Sequence, residues 1–291
     1  MQVGLLAANT GRFAGPAGAA ELAAAGEASG FDSLWTAEHV LWPDGYDSTY
    51  PYSPSGRMPG EPHTAVPDPL IWLTWVAARS RTIKLATGIL ILPQRHPAVL
   101  AKEVATLDHL SGGRVLLGIG VGWLAEEFRA LGVTFADRGR RTDDYVDVMR
   151  KLWSSDSVSH ASEFVNFEAM SCNPKPVRGT VPIVVGGHSR RAAERAGRLG
   201  DGFIPLGGDI AALVDIMRQT AASEGRDPAG VEVTALHPQL LGDDPRAGLE
   251  ELREWGVDRG LVPAYRLAKG DLGENCDAAA ARLGLVPASA A

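Results

Sequence analysis

The stretch KLATGILILPQRHPAVLAKEVATLDHLSGGRVLLGIG, residues 84–120, contains two short aliphatic runs separated by one helical pattern. Its central segment places Leu100, Val104 and Leu107 on one face of a helix that begins near Pro97. The flanking runs, 84–91 and 115–120, are rich in aliphatic residues, as buried strands are. A strand, a helix and a second strand in this order predict a βαβ unit.

The same alternation continues along the whole chain. Strands are predicted near residues 2–8, 33–38, 84–91, 115–120, 182–186, 202–206, 231–236 and 259–263. Helices are predicted near residues 16–29, 68–80, 97–111, 137–153, 189–199, 209–224, 246–255 and 271–284. Eight strands paired with helices and uninterrupted by a linker predict an α/β fold, a single (β/α)₈ TIM barrel over residues 1–291. An open doubly wound sheet is the alternative, but residues 8–20 lack the G-x-G-x-x-G that its first turn would carry.

Composition and charge narrow the class of function. The chain has 291 residues, of which 45% are hydrophobic and 22% charged, so it can bury a large core. A net charge of −7 without a long basic run argues against nucleic acid and anionic membranes as partners. Two distant cysteines, Cys172 and Cys276, favour a reducing cytoplasm over a disulfide scaffold. The N-terminus lacks the basic start of a signal peptide, and apolar runs such as 70–78 are too short to span a bilayer. We therefore expect a cytoplasmic protein that acts on a small molecule.

Two segments interrupt the alternation. Residues 41–69 follow the second strand and contain seven prolines and three of the five tyrosines. Because this segment leaves the C-terminal end of a strand and is rich in aromatic residues, we expect it to fold over the barrel mouth, with Trp42 and Tyr50 in a substrate pocket. A solvent-exposed insertion is the alternative. Residues 157–177, before the fifth strand, predict a small hairpin with a structural role.

Candidate functional residues follow the predicted strands, because the active site of such a barrel lies at the C-terminal ends of its strands. Glu38 and His39 follow the second strand. Histidine exchanges protons near neutral pH, and a neighbouring carboxylate can tune it, although a structural histidine is the alternative. Gly88 interrupts the aliphatic third strand, where glycine marks a bulge or the close approach of a ligand.

Glycines also mark the ends of the fourth and fifth strands. Gly118, Gly120 and Gly122 remove side chains, so that a planar or anionic group could approach the main chain. The run lacks the spacing and the position of a dinucleotide fingerprint. Glu126 and Glu127 come next and open a helix, where negative charge is favoured.

The fifth strand is followed by VVGGHSRRAAERAG, residues 184–197. Two glycines and a serine before a helix N-terminus predict an anion site, to which Arg190 or Arg191 could add charge. A phosphate group is the expected guest. The chain has no P-loop, no G-x-S-x-G elbow and no metal-site spacing, so no metal centre is predicted.

In this order and spacing, the segments resemble the bacterial luciferase-like superfamily. Within it, the chain is most similar to oxidoreductases that use the deazaflavin coenzyme F420. The resemblance is strongest in residues 30–40, 87–133, 138–153 and 173–203.

The resemblance implies that the tricyclic ring enters the barrel mouth against Gly88–Ile89, a peptide that is cis in related enzymes. It implies that Glu38 and His39 contact the deazaflavin or handle protons. It places the cofactor against two further segments: Gly120, Val121, Gly122 and Trp123, and Gly186, Gly187, His188 and Ser189. Relatives that act on a sugar phosphate have an acidic residue where this chain has Trp123, so the substitution argues for a more apolar substrate. Dimers are common among relatives, and a homodimer is expected.

These expectations combine into one reaction. Hydride would pass between coenzyme F420 and a small cyclic or apolar substrate, with His39 supplying or removing the proton. The first alternative is a monooxygenase that uses flavin mononucleotide (FMN) reduced by a separate flavin reductase. The second is a flavin- or deazaflavin-binding protein without catalysis.

Overall fold

Strands and helices alternate along residues 1–287, which are the residues that the structure, a computed structural model, describes. The strands are β1 (Gln2–Leu6), β2 (Ser33–Thr36), β3 (Lys84–Thr87), β4 (Leu90–Ile91), β5 (Val115–Gly120), β6 (Val158–Ala161), β7 (Asn166–Met170), β8 (Ile183–Gly186), β9 (Gly202–Ile204), β10 (Glu232–Leu236) and β11 (Arg259–Pro263). The α-helices are α1 (Pro16–Ala28), α2 (Pro69–Ala77), α3 (Pro97–Ser111), α4 (Ala125–Ala130), α5 (Arg138–Ser154), α6 (Arg190–Leu199), α7 (Ile210–Ser223), α8 (Pro245–Glu254) and α9 (Leu272–Leu283). None of these helices is long and apolar enough to cross a membrane.

Parallel strands form a closed ring in the order β1, β2, β3, β5, β8, β9, β10 and β11. β11 pairs with β1, and β3 pairs with β5, with Leu85 opposite Val115 and Ala86 opposite Leu116. Helices between successive strands cover the outside of the ring. The predicted (β/α)₈ barrel is therefore confirmed, and the open-sheet alternative is excluded by the closing β3–β5 pair.

The barrel interior and its lower end are filled. Trp35, Ala86, Val184, Ile204 and Leu261 form the apolar cluster inside the ring. Below them, the guanidinium of Arg259 pairs with Asp32 and Glu232. The Arg259 side chain is fully buried, so water does not reach it. These charged groups lie at the N-terminal ends of the strands, so the opposite rim is the open mouth.

The sequence predicts the third strand as one run over residues 84–91, but it is divided into two strands. β3 ends at Thr87, and β4 resumes at Leu90. The Gly88–Ile89 peptide between them is cis, as the resemblance implies. β2 also ends earlier than predicted, at Thr36, so Glu38 and His39 lie in the segment that leaves the barrel. The short helix α4 precedes α5; it lies outside the predicted helix ranges, although Glu126 and Glu127 are expected to open a helix. The hairpin within 157–177 is confirmed by the antiparallel pairing of β6 with β7.

Gly118 is required for the close approach of β5 to the end of β3. A Cβ at this position would lie 1.8 Å from the carbonyl oxygen of Thr87, and the Thr87 hydroxyl donates to the Gly118 carbonyl at 2.6 Å. We expect Gly118→Ala to lower the free energy of unfolding by about 3 kcal/mol, because backbone atoms must move apart. Gly45→Ala, where a Cβ meets open space, is the control for urea denaturation. Equal stability of the two variants would contradict this account of Gly118.

Candidate active site

Segments that follow β2, β5 and β8 meet at the barrel mouth and bring most of the predicted residues together. His39 lies 5.9 Å from Trp123, measured between ring centroids. Trp123 in turn contacts Tyr50 at 5.2 Å, and Tyr52 contacts His188 at 4.7 Å. The chain of aromatic contacts therefore joins the segment after β2 to the segments after β5 and β8.

His39 is held by a buried carboxylate. Its Nδ1 lies 3.0 Å from Oε2 of Glu127, whose side chain has no solvent exposure, while the His39 side chain is 13% exposed. The other Glu127 oxygen, Oε1, accepts the backbone N–H groups of Val40 at 2.6 Å and Leu41 at 3.1 Å. Burial acts to raise the pKa of Glu127, but the hydrogen bond and charge of His39 and the N–H of Leu41 outweigh it, so the pKa lies below its usual value. Glu127 is therefore a carboxylate at neutral pH, an acceptor that matches a proton on Nδ1 of His39.

Sequence analysis missed this role of Glu127. The sequence predicts this glutamate in the first turn of a helix, which it does occupy as part of α4. Its functional contact is with a residue 88 positions earlier in the chain. The adjacent pair Glu126–Glu127 was the only available signal, and helix-dipole stabilisation accounted for it without any long-range partner.

Glu38 lies in a different environment from His39. Its carboxylate is almost completely buried, accepts the N–H of Ile91 at 2.5 Å, and is bound by both Nε and Nη2 of Arg95. Arg95 also reaches Asp68, which caps the N-terminus of α2. Burial raises the pKa of Glu38, and the charge of Arg95 opposes that rise. These contacts favour a role in fixing β4 beside the strand break, while the predicted role of Glu38 in proton handling stays a prediction.

Two of the glycines make room for a side chain of the protein itself. A Cβ on Gly120 would lie 2.5 Å from Cδ1 of Ile89, and one on Gly186 would lie 2.6 Å from its Cγ2. The Ile89 side chain therefore fills the space beside both glycines, and the expected contact of Gly120 and Gly186 with a cofactor stays a prediction. Gly122 differs, since its φ of 79° is in the left-handed region and a Cβ would collide with Phe128. The glycines thus hold Ile89 at the strand break as an apolar surface.

The N-terminus of α6 lies at the same rim. Ser189 caps the helix, and its hydroxyl accepts the N–H of Ala192 at 3.2 Å. Arg190 pairs with Glu194 and is directed along the helix surface. Within residues 1–287, the buried Nδ1 of His188 has no hydrogen-bond partner. The first-turn N–H groups of α6 are donors that an anion could use, and the His188 nitrogen is a further donor when it carries a proton.

The proline- and aromatic-rich segment, residues 41–69, lies against the mouth, and we call it the lid. Trp42 lies 6.0 Å from His39, and Tyr46 lies 5.5 Å from Trp123. Glu126 anchors the lid by accepting the N–H of Asp47 at 2.8 Å and the hydroxyl of Ser48 at 2.7 Å. The predicted pocket residues Trp42 and Tyr50 therefore both lie at the mouth.

The phenol of Tyr52 also lies in the lid. Although the residue is 39% exposed, desolvation by the surrounding lid raises the pKa of Tyr52 to about 12, with a smaller contribution from neighbouring Tyr50. Tyr52 is therefore neutral at physiological pH. It can donate or accept a hydrogen bond at the mouth but contributes no charge there.

Known proteins share this sequence pattern and this architecture. A family model described as luciferase-like monooxygenase matches residues 1–281. The F420-dependent glucose-6-phosphate dehydrogenase of Kineococcus radiotolerans is 32% identical over 249 residues, which cover 82% of this chain and 68% of the relative. The coenzyme F420 dependent tetrahydromethanopterin reductase from Methanopyrus kandleri has a TM-score of 0.72 at 16% identity, covering 97% of each chain. The monooxygenase RslO1 from Streptomyces bottropensis has a TM-score of 0.75 at 21% identity, covering 98% of this chain and 97% of its own. The two solved structures show a common fold.

Proposed function

The chain belongs to the luciferase-like monooxygenase family, and we propose that it is an oxidoreductase that transfers a hydride between coenzyme F420 and a small, cyclic or apolar substrate. The observation that carries this proposal is the His39–Glu127 pair at the barrel mouth, where His39 also contacts Trp42 and Trp123. It supplies a proton-exchanging group beside an apolar surface, which is what proton-coupled hydride transfer requires of the protein. The relative from Kineococcus radiotolerans, named as F420-dependent, supports the choice of cofactor.

The residues at the mouth fit a tricyclic ring with an anionic tail. Ile89 offers an apolar surface for the ring at the strand break, flanked by Gly120 and Gly186. The first turn of α6 after Ser189 offers N–H donors for the tail, and Nδ1 of His188, which has no partner among residues 1–287, can add a further donor when it carries a proton. The cofactor would supply a ring carbon that donates or accepts hydride.

The protein's own groups perform the remaining tasks. His39 gives or takes a proton at Nε2, because Glu127 holds the proton on Nδ1. Trp42, Tyr50 and Trp123 surround the site with aromatic surface, which excludes water and favours a substrate of low polarity. Position 123 carries tryptophan and not an acidic residue, so it offers no carboxylate to bind the hydroxyl groups of a sugar.

Titration of the purified protein with coenzyme F420 and with FMN, followed by fluorescence, tests the cofactor. We expect F420 to bind at least about tenfold more tightly than FMN, a difference of about 1.4 kcal/mol. A deazaflavin lacking the phosphate-bearing tail is the control, and it should bind more weakly because the donors near Ser189 are left without an anion.

Two other outcomes would overturn the proposal. Binding of FMN alone, with aerobic turnover when reduced FMN is supplied, would identify a monooxygenase instead. The structural similarity to the monooxygenase RslO1 is the observation that supports a monooxygenase as the second candidate. Tight binding of F420 without turnover of any hydride donor or acceptor would identify a binding protein.

A further inference from the structure

One carboxylate at the mouth has two different kinds of partner. Oε2 of Glu127 contacts the His39 ring, and Oε1 binds the backbone at Val40 and Leu41, where the lid begins. We propose that Glu127 is a positioning residue that couples lid closure to the tautomer of His39. The functional consequence rests on the proposed function, because His39 is the proton-exchanging group in that reaction.

The coupling follows from what a buried carboxylate can do. Glu127 has no solvent exposure and is an acceptor only, so each of its oxygens requires a donor from the protein. His39 satisfies Oε2 only when its proton is on Nδ1. That arrangement leaves Nε2 as the nitrogen that can accept a proton from a substrate.

The lid donors complete the same carboxylate. If the lid moved away from the mouth, starting at its first residue, Oε1 of Glu127 would lose the N–H of Leu41. If the preceding Val40 moved with it, Oε1 would lose its second donor as well. An unsatisfied buried carboxylate is unfavourable, so Glu127 would then shift towards the remaining donor or take up a proton. Either response changes the hydrogen bond to Nδ1. A closed lid therefore holds His39 in one tautomer.

Glu126, the neighbouring residue on α4, provides a matched control. It also holds the lid, through the N–H groups of Asp47 and Ser48 and the Ser48 hydroxyl, but it makes no hydrogen bond to His39. Glu126→Gln therefore weakens the anchoring of Asp47 and Ser48 but leaves Val40 and Leu41 bound to Glu127, whereas Glu127→Gln makes the same chemical change at the carboxylate that binds the start of the lid. Only Glu127→Gln alters the partner of the histidine.

The test is the ¹⁵N NMR spectrum of the His39 ring in cofactor-free protein at alkaline pH, where imidazole rings are neutral. We expect the wild type and Glu127→Gln to show opposite tautomers, and Glu126→Gln to match the wild type. In Glu127→Gln, the amide oxygen of the glutamine can still accept the N–H groups of Val40 and Leu41, so the amide NH₂ faces Nδ1 of His39. Because the NH₂ group donates, Nδ1 must accept, and the ring proton then lies on Nε2.

Turnover gives a second readout. We expect Glu127→Gln to lower kcat by about 10- to 100-fold with little change in KM, the range found when an outer partner of a metal-binding histidine is removed. Glu126→Gln should retain kcat and raise KM. An Nε2–H tautomer in the wild type, or an unchanged tautomer in Glu127→Gln, would overturn the proposal. The wild-type spectrum alone shows which tautomer His39 adopts, so it tests the proposal even if Glu127→Gln fails to fold. This result does not depend on whether F420 or FMN binds.

Discussion

His39→Ala is expected to lower kcat by about 10²- to 10⁴-fold, the contribution typical of a positioned general acid or base. Imidazole is suited to proton exchange near neutral pH, and the ring of His39 is held by a buried carboxylate at the mouth. Its loss also leaves Oε2 of Glu127 without its donor. Coenzyme F420 should still bind within about threefold of the wild type, since the donors near Ser189 and the surface of Ile89 are unchanged.

The measurement pairs steady-state turnover with fluorescence titration of the same preparation. His109→Ala is the matched control, because His109 is an exposed histidine in the last turn of α3, at the end of the helix that leads to the start of β5. It should keep both turnover and affinity. Full turnover by His39→Ala would remove His39 from the mechanism and leave a substrate group or Glu38 as the proton carrier.

The fold was predictable because its signals are local. Each helix carries its own apolar face, as Leu100, Val104 and Leu107 do in α3, and each strand is a short aliphatic run. Connection of eight such units without a linker leaves few architectures. The strand break at Gly88 was detectable for the same reason, since glycine in an aliphatic strand is a local anomaly.

The contacts within the site were not predictable in the same way. Strand-end positions identified His39, but its partner Glu127 depends on where α4 lies relative to β2 in the closed ring. The pattern singles out Gly120 and Gly186, whereas their actual neighbour, Ile89, lies in the break between β3 and β4. A sequence pattern shows that a position lacks a side chain, and only the packed barrel shows which group fills the space.

Arg95→Met is expected to lower the free energy of unfolding by about 3–5 kcal/mol, the usual result of removing one partner from a buried ion pair. The Glu38 side chain is only 2% exposed, and without the guanidinium it retains the N–H of Ile91 as its principal donor. Asp68 loses its partner as well, but it is one third exposed and solvent compensates for part of that loss. Urea denaturation measures the change, and Arg57→Met, on the exposed part of the lid, is the control.

The sign of the pH dependence separates this ion pair from a simple packing defect. Burial already raises the pKa of Glu38 above its unfolded value of about 4.3, and removal of Arg95 raises it further. An acid whose folded-state pKa is raised destabilises the protein increasingly as pH rises from the unfolded to the folded pKa. Arg95 also helps to lower the pKa of Asp68, against the effect of burial, and the stability from that shift is present only above the unfolded pKa of Asp68. Both effects make the loss of stability in Arg95→Met larger at neutral pH than in mild acid.

Adding Glu38→Gln to Arg95→Met should recover much of the lost stability at neutral pH, because no buried charge then remains unpaired. A loss of stability that depends neither on pH nor on this second substitution would contradict the role of Arg95 as the ion-pair partner of Glu38.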